Sequence, residues 1–223
     1  MNTVILDMDG LLIDSEPLWQ EAGSALLSEY GIQLSDEQYH SSTGLRTPEW
    51  VEHWFGVYGV DRVHAPSTIT RIEQMALELI AQKGQPMPGV DSMMEVLRTL
   101  GCQIGLASSS PLRLIDTVID KLHLRAKLAA IVSAEKLPFG KPHPDVFLHC
   151  AERLQVKPAQ CLVLEDSFNG LIAAKAAKMK CVVVPAPAAR HLTQWEIADC
   201  RLNSLEEFDQ EVWNKLTGSK VAY

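Results

Sequence analysis

A pair of acidic residues after the first apolar segment constrains this chain most. Residues 3–6 carry β-branched or apolar side chains without a polar break, a pattern typical of a strand buried on both faces. Asp7 and Asp9 follow, and Gly10 then allows a sharp turn. Alternate residues of an extended segment share a side, so we expect both carboxylates to point together and Met8 to point away. Because two acids this close repel each other without a cation, the segment indicates a catalytic or metal site rather than a capped loop.

Composition excludes several classes of function. The 223 residues, 47% of them apolar, suffice for one large domain or a domain with an insert. A formal net charge of -8, without any basic run, argues against nucleic acid and membrane surfaces as partners. The apolar segment near the start leaves no room for a secretory signal, and the scattered cysteines, odd in number, indicate reduced thiols. We therefore expect a cytoplasmic monomer.

The order of helical and strand patterns predicts an α/β core interrupted by helices. Between residues 15 and 85 apolar side chains recur at helical spacing, with Pro48 and Ser67 near the starts of two helices. A Gly/Pro-rich segment at 84–89 ends this block. Beyond it, strand and helix patterns alternate, as in repeated βα units on a parallel sheet. The predicted strands there are 103–107, 129–132, 161–164 and 181–184, and the last ten residues, 214–223, are predicted to fray.

We therefore predict an α/β fold with a Rossmann-like doubly wound parallel sheet and an inserted α-helical cap domain. The first strand stands apart in sequence from the others but matches them in its apolar character. Residues 1–14 and 86–223 are predicted to form the core domain, and residues 15–85 the helical cap domain. In a sheet of this kind, chemistry is concentrated at the carboxyl ends of the strands.

Three further polar clusters are predicted to lie at that edge of the sheet. Ser108–Ser110 occupy a strand-to-helix turn, where hydroxyls and free amides favour an anion, although an ordinary helix cap is the alternative. Lys141 lies between Gly and Pro, so its backbone is constrained and its ammonium can be aimed; a solvated loop lysine is the alternative. Glu165 and Asp166 follow an apolar strand and offer oxygen ligands for a hard cation, or favour a helix start.

Together these clusters match what transfer of a phosphoryl group to a carboxylate requires. An anionic nucleophile must approach an anionic phosphate, so a divalent cation and a lysine are needed to offset the repulsion. Hydroxyl and backbone donors then hold the equatorial oxygens as charge spreads over them. Because acids, hydroxyls, a lysine and further acids occur in order at successive loops of one predicted core, the pattern indicates phosphoryl transfer.

The sequence resembles the phosphatases of the haloacid dehalogenase superfamily that carry an inserted helical cap of the C1 type. The run DMDG at 7–10 matches the first motif of that family, and Ser108 matches the second. Lys141 within GKPHPD matches the third motif, and EDS at 165–167 matches the fourth. The resemblance extends from residue 4 to about residue 185, so it covers both the predicted core and the predicted cap.

This resemblance implies a role for each motif. Asp7 would be the nucleophile that forms an aspartyl-phosphate, and Asp9 would protonate the leaving oxygen and then activate water. Mg²⁺ would be held by the Asp7 carboxylate, the Asp9 carbonyl and Asp166, with Glu165 nearby or acting through water. Dehalogenases of the superfamily lack an acid at the position of Asp9, which argues against that reaction. The core residues implied in substrate binding are Asp7, Met8, Asp9, Ser108, the Ser109 amide and Lys141.

The predicted cap supplies the candidates for substrate choice, namely Glu16, Trp19 and Arg46. Arg46 follows a glycine turn and could meet a sugar hydroxyl or the phosphate, or it could be a solvated surface residue. Trp19 is either part of the cap core or a platform for a sugar. The segment around these residues is similar to that of sugar-phosphate members of the family, in particular the hexitol and 2-deoxyglucose-6-phosphate phosphatases.

We therefore predict a Mg²⁺-dependent phosphatase that acts on small sugar or sugar-alcohol phosphates. One alternative is a phosphomutase like β-phosphoglucomutase, which shares the four core motifs but typically carries a histidine where this chain has Trp19. Another is a phosphosugar-binding module without turnover, although every motif position is filled. A small phosphorylated metabolite is the expected partner in each case.

Overall fold

A parallel sheet forms the centre of the protein. Within residues 2–218, which the computed structural model describes, six strands lie in the order β3-β2-β1-β4-β5-β6, and every pairing is parallel. Each strand predicted from the sequence begins and ends within one residue of an observed strand, which confirms the α/β class. The strands are β1 (Thr3–Leu6), β2 (Gln103–Ser108), β3 (Ala130–Ser133), β4 (Cys161–Glu165), β5 (Lys180–Val183) and β6 (Cys200–Arg201).

The two faces of β1 pack against different helices. Val4 and Leu6 belong to one hydrophobic cluster, whereas Ile5 belongs to the other, as the twofold side-chain period of a strand requires. The first cluster includes apolar residues of α5, α6 and α9, and the second includes those of α7 and α8. The sheet is therefore covered on both faces. These helices are α5 (Val90–Thr99), α6 (Leu112–Lys121), α7 (Asp145–Arg153), α8 (Phe168–Ala176) and α9 (Gln210–Thr217).

Four helices lie between β1 and α5, and we call them the helical insert. Its longest helix, α4, packs against α1 and α3, and buries Ile72, Ala76 and Ile80, which recur every four residues on one face. The insert and the first hydrophobic cluster of the sheet share one continuous core. The helices of the insert are α1 (Glu16–Ser28), α2 (Asp36–Ser41), α3 (Thr47–Tyr58) and α4 (Ala65–Lys83).

The two connections between sheet and insert run side by side. The Asp14 amide donates to the Gln85 carbonyl at 2.8 Å, and the Met87 amide donates to the Leu12 carbonyl at 3.0 Å. The insert therefore begins and ends at neighbouring points beside the sheet. The division of the chain into a core of 1–14 and 86–223 and a cap of 15–85 remains a prediction about independent domains.

Two helices were not expected from the sequence. α2 buries only Tyr39, so it has no apolar stripe; a capping box between Ser35 and Gln38 fixes its start instead. α9 includes residues 214–217, which we expected to fray, because Trp213 and Leu216 anchor it in the core. Residues 219–223 of that predicted frayed end lie outside the described part of the chain.

Two further findings bear on expectations from composition. The five cysteines are free thiols, as predicted. Across residues 2–218, no helix combines the length and the apolar character needed to cross a membrane.

Candidate active site

Strand order brings the sequence motifs together at one edge of the sheet. β1 lies between β2 and β4, and Leu6 is in register with Leu106 on one side and Leu164 on the other. Asp7 continues this pairing, since its amide donates to the Leu164 carbonyl at 3.0 Å. The acids after β1, the serines after β2 and the acids after β4 therefore meet at the carboxyl ends of neighbouring strands.

A buried lysine links two of these acids. The Lys141 Nζ lies 2.5 Å from Asp7 Oδ1 and 2.5 Å from Glu165 Oε1, and the lysine side chain is 1% exposed. Burial alone would lower the pKa of Lys141, but the two carboxylates outweigh it and raise the pKa above its ordinary value. Lys141 is therefore a fixed positive charge. The alternative prediction, that Lys141 is a solvated loop lysine, is wrong. The peptide between Lys141 and Pro142 is cis.

Glu165 is held at both of its oxygens. While Oε1 accepts from Lys141, Oε2 accepts from the amides of Asp166 and Ser167 at 3.0 and 2.9 Å and from the Ser167 hydroxyl at 3.0 Å. Gly170 lies directly behind this carboxylate, where a β-carbon would stand 1.7 Å from Oε1. The absence of a side chain at Gly170 is thus what allows α8 to approach Glu165.

Three acids form a cluster whose donor atoms fit a hard cation. Oxygen atoms of Asp7, Glu165 and Asp166 lie within 4.8 Å of one another, and all three residues are buried. Burial raises the pKa of Asp7 in spite of Lys141, and burial together with the charge of Glu165 raises the pKa of Asp166. One lysine does not offset three carboxylates. Because carboxylate oxygens are the ligands that Mg²⁺ prefers, the residues present fit that ion.

The Asp9 carboxylate points away from this cluster into a shell of neutral donors. Oδ1 accepts from the Ser15 hydroxyl at 2.7 Å and from the Trp19 indole at 3.0 Å. Oδ2 accepts from the hydroxyls of Ser110 at 2.7 Å and Ser108 at 3.4 Å. Asp7 thus lies beside charged groups and Asp9 among neutral donors, although the two residues are only two positions apart.

The serine cluster after β2 contacts both the sheet and the insert. Ser108 accepts from the Ser110 amide at 3.0 Å, and Ser109 donates from its hydroxyl to the Gly44 carbonyl of the insert at 2.7 Å. A second hydrogen bond to the insert comes from α8, where the Asn169 side-chain amide donates to the Thr43 carbonyl at 2.8 Å. The insert is therefore seated on the carboxyl edge of the sheet and covers the charged residues.

A cavity lies between the helical insert and the carboxyl edge of the sheet. Glu16 and Trp19 line it, as predicted for residues that face the site from the insert. Glu16 accepts a bond from the Tyr39 hydroxyl at 3.4 Å, and burial, with the charge of Asp9, raises the pKa of Glu16 to about 8. The cavity is lined by Asp7, Asp9, Glu16, Trp19, Gly23, Tyr39, Ser42, Thr43, Gly44, Leu45, Thr47, Trp50, Ile72, Ser108, Ser109, Ser110, Lys141 and Asp166.

Arg46 lies outside this cavity. Its guanidinium donates to the carbonyls of Ala134 and Leu137 at 3.1 and 2.7 Å and pairs with Glu49 at 2.6 Å. Glu49 in turn accepts from the Gly140 amide at 2.9 Å, next to Lys141 in sequence. Since its side chain is only 14% exposed, Arg46 is neither a sugar contact in this arrangement nor a solvated arginine. It joins the insert to the loop that precedes the lysine.

Met8 also presents no side chain to the cavity. It is fully buried in the cluster shared by sheet and insert, as the alternation of side chains along the segment predicts. Ser110 belongs to the serine run that the sequence singles out, but its contact with Asp9 was not anticipated. Tyr39 and Trp50 line the cavity without any sequence signal, because only the packing of α2 and α3 places them there.

Comparisons with known proteins agree with this geometry. A family model described as haloacid dehalogenase-like hydrolase matches residues 1–178. Hexitol phosphatase B of Escherichia coli K12 is 41% identical over 204 residues, which cover 91% of this chain and 92% of the relative. The fructose-1-phosphate phosphatase YqaB of the same organism is 31% identical over 182 residues, covering 81% of this chain and 95% of that protein.

Solved structures share the fold at lower sequence identity. A β-phosphoglucomutase from Clostridium difficile superposes with a TM-score of 0.86 at 23% identity and covers 98% of each chain. CbbY from Rhodobacter sphaeroides, solved in complex with phosphate, has a TM-score of 0.78 at 22% identity, with 93% of this chain and 96% of that chain covered. These likenesses concern the fold, whereas the family model covers most of the sequence. The chain belongs to the haloacid dehalogenase-like hydrolases.

Proposed function

We propose that this protein is a Mg²⁺-dependent phosphatase that hydrolyses phosphate esters of small sugars or sugar alcohols through an aspartyl-phosphate. One observation carries the proposal: Asp7 is buried beside a fixed ammonium, while the second acid, Asp9, is held by neutral donors two residues away. The first environment suits a nucleophile that meets an anion, and the second suits a proton carrier. The activities named for the two Escherichia coli relatives support the substrate class.

In the first step, a carboxylate oxygen of Asp7 attacks phosphorus, and the bond from phosphorus to the sugar oxygen breaks. Lys141 lies 2.5 Å from the Asp7 carboxylate and offsets the charge that accumulates between nucleophile and phosphate. When bound, Mg²⁺ would be held by Asp7, Asp166 and the Asp9 carbonyl, with Glu165 as a direct or water-mediated ligand, and would supply further positive charge.

Asp9 completes both halves of the reaction. It donates a proton to the departing sugar oxygen, and it then takes a proton from the water that attacks the phosphorus of the aspartyl-phosphate. The second step releases inorganic phosphate and restores the Asp7 carboxylate. The Ser108 hydroxyl and the Ser109 amide hold the phosphate oxygens at the start of the helical turn.

The insert side of the cavity is proposed to hold the sugar. Glu16, Tyr39 and Trp50 place a carboxyl group, a phenol and an aromatic ring around the same space, and such groups bind hydroxyls and sugar faces. Arg46 acts on this site through the loop before Lys141 rather than by contact with the substrate. Location in the cytoplasm and a monomeric state stay predictions.

Release of inorganic phosphate tests this proposal. The purified protein is incubated with Mg²⁺ and a panel of hexitol and hexose phosphates, including 2-deoxyglucose 6-phosphate, and both phosphate and organic products are measured. We expect phosphate and the free sugar or sugar alcohol in equal amounts, and loss of turnover after chelation with EDTA. Isomerised sugar phosphate without released phosphate would establish a mutase instead, and no conversion of any ester would overturn the enzymatic proposal.

A further inference from the structure

The carboxylate of Asp9 is fixed by donors from three separate parts of the chain. Ser15 belongs to the connection that enters the insert, Trp19 belongs to α1, and Ser110 follows β2. The Ser110 contact, together with a longer one from the Ser108 hydroxyl at 3.4 Å, comes from the carboxyl edge of the sheet. The orientation of Asp9 therefore depends on how the insert sits on the sheet.

The donor from the insert has a particular chemistry. An indole N–H donates a hydrogen bond but neither accepts one nor exchanges its proton with a substrate. The contact of Trp19 thus keeps Oδ1 of Asp9 as an acceptor, so the proton to be donated belongs on Oδ2, the oxygen that the Ser110 and Ser108 hydroxyls contact. The Trp19 ring packs against the core cluster shared by the sheet and the insert, so the N–H is held in place.

The donor from the sheet side is equally restrained. The Ser110 amide donates to the Ser108 hydroxyl at 3.0 Å, and the Ser110 carbonyl accepts from the Ser133 hydroxyl at 2.6 Å. The backbone of Ser110 is therefore held at both its amide and its carbonyl, and the residue is buried. The Ser110 hydroxyl is 2.7 Å from Asp9 Oδ2.

We infer that Trp19 and Ser110 are positioning residues that orient the Asp9 carboxyl group toward the departing sugar oxygen, one from the insert and one from the sheet. The inference rests on the proposed function, in which Asp9 is the general acid. Trp19 therefore does more than line the cavity, because the Asp9 carboxyl group is aligned only when α1 packs beside it. Neither residue touches the phosphorus centre in this account.

The test compares two leaving groups. A sugar alkoxide needs protonation as it departs, whereas p-nitrophenolate leaves without it, so misalignment of the acid slows only the first. The rate of leaving-group release in the first turnover is measured by rapid quench for sorbitol 6-phosphate, or the panel ester that wild type hydrolyses fastest, and for p-nitrophenyl phosphate. The variants are W19F, which keeps an aromatic ring but removes the N–H, and S110A.

For W19F and S110A we expect first-turnover release to fall about 10-fold or more with the sugar phosphate, and to stay within about twofold with p-nitrophenyl phosphate. KM for both esters should change less than about twofold. W54F is the matched control, because the Trp54 indole donates to Ser42 at 3.2 Å on the insert and lies outside the cavity. Its ratio of the two rates should equal that of wild type.

Equal slowing with both esters, or no slowing with either, would overturn the inference, since a merely structural role does not distinguish leaving groups. If W19F fails to fold, as judged by circular dichroism, S110A alone decides the question. A wild-type protein that releases no phosphate would refute the proposed function instead, so the two failures are distinguishable.

Discussion

The two walls of the cavity differ in how they manage charge. On the sheet side, Asp7 and Glu165 are buried and share one ammonium, that of Lys141. On the insert side, Glu16 accepts a bond from the neutral Tyr39 hydroxyl, and burial raises its pKa to about 8. A glutamate therefore pairs with an ammonium on one wall, whereas on the other wall a glutamate with a raised pKa pairs with a phenol. The sheet wall is suited to phosphoryl transfer, and the insert wall to binding hydroxyl groups.

This difference predicts different responses to substitution. The sheet wall is a network in which each charge compensates another, so a change there affects both turnover and stability. The insert wall consists of separate contacts, so a change there affects substrate choice, the alignment of Asp9 through Trp19, or one local equilibrium.

Asp7→Asn should abolish phosphate release, by about 10⁴-fold or more, because the amide is not a nucleophile toward phosphorus. The fold should survive, since Lys141 keeps Glu165 as its partner. Phosphate release with Mg²⁺ and far-ultraviolet circular dichroism measure the two properties. A folded variant with the wild-type rate would remove Asp7 from the mechanism.

Lys141→Met should lower the free energy of unfolding by about 3–5 kcal/mol, because it leaves the carboxylates of Asp7 and Glu165 buried without their cation. Lys127→Met, on an exposed lysine, is the control and should change it by less than about 0.5 kcal/mol. Urea unfolding at neutral pH compares the variants. Equal effects of the two substitutions would contradict the charge network.

Gly170→Ala and Gly56→Ala should change stability in opposite directions. A β-carbon at Gly170 would stand 1.7 Å from Glu165 Oε1, so the carboxylate must move, at a cost of about 1–3 kcal/mol. At Gly56, within α3 of the insert, an added β-carbon would meet no atom of the described residues within 4 Å beyond its chain neighbours and its own helix backbone, so alanine should stabilise that helix by about 0.5–1 kcal/mol. Thermal unfolding measures the sign of the stability change for each variant. If both stabilise the protein, Glu165 is not confined as described.

Glu16→Gln should stabilise the protein increasingly as the pH rises from 5 to 8. Burial raises the pKa of Glu16 to about 8 in the folded chain, so between its ordinary pKa and 8 the folded state binds more protons and wild type loses stability with rising pH. Glutamine removes that loss. The difference in free energy of unfolding between Glu16→Gln and wild type should therefore grow by about 1–2 kcal/mol from pH 5 to 8 for this partly buried group. Urea unfolding across the pH series measures this difference. A difference that stays constant with pH would show that the pKa of Glu16 is not raised.

The parts of the site that follow strands could be predicted from sequence. The apolar run before Asp7 identifies a buried strand, and strand ends of one parallel sheet share an edge, so Ser108 and Glu165 were expected beside it. Met8 was expected to point away, and it does. These inferences succeeded because strand periodicity is local and the order of βα units restricts topology.

Contacts made through the insert could not be predicted in the same way. Arg46 binds carbonyls 88 and 91 positions further along the chain, and no local pattern specifies that docking. Tyr39 lies on a short helix fixed by capping rather than by an apolar stripe, so neither the helix nor its side chain gave a signal. The sequence leaves Trp19 open as a core residue or a sugar platform, because its bond to Asp9 depends on the angle at which α1 meets the sheet.

Trapping the covalent intermediate shows whether Asp7 becomes phosphorylated during the reaction. An Asp9→Asn protein is mixed with Mg²⁺ and p-nitrophenyl phosphate, which needs no general acid to react, and is quenched in acid within the first turnover. Peptide mass analysis after borohydride reduction then locates the acyl-phosphate. We predict conversion of residue 7 to homoserine in proportion to the p-nitrophenol released. Release of p-nitrophenol with an unmodified Asp7, or modification at another residue, would contradict this account.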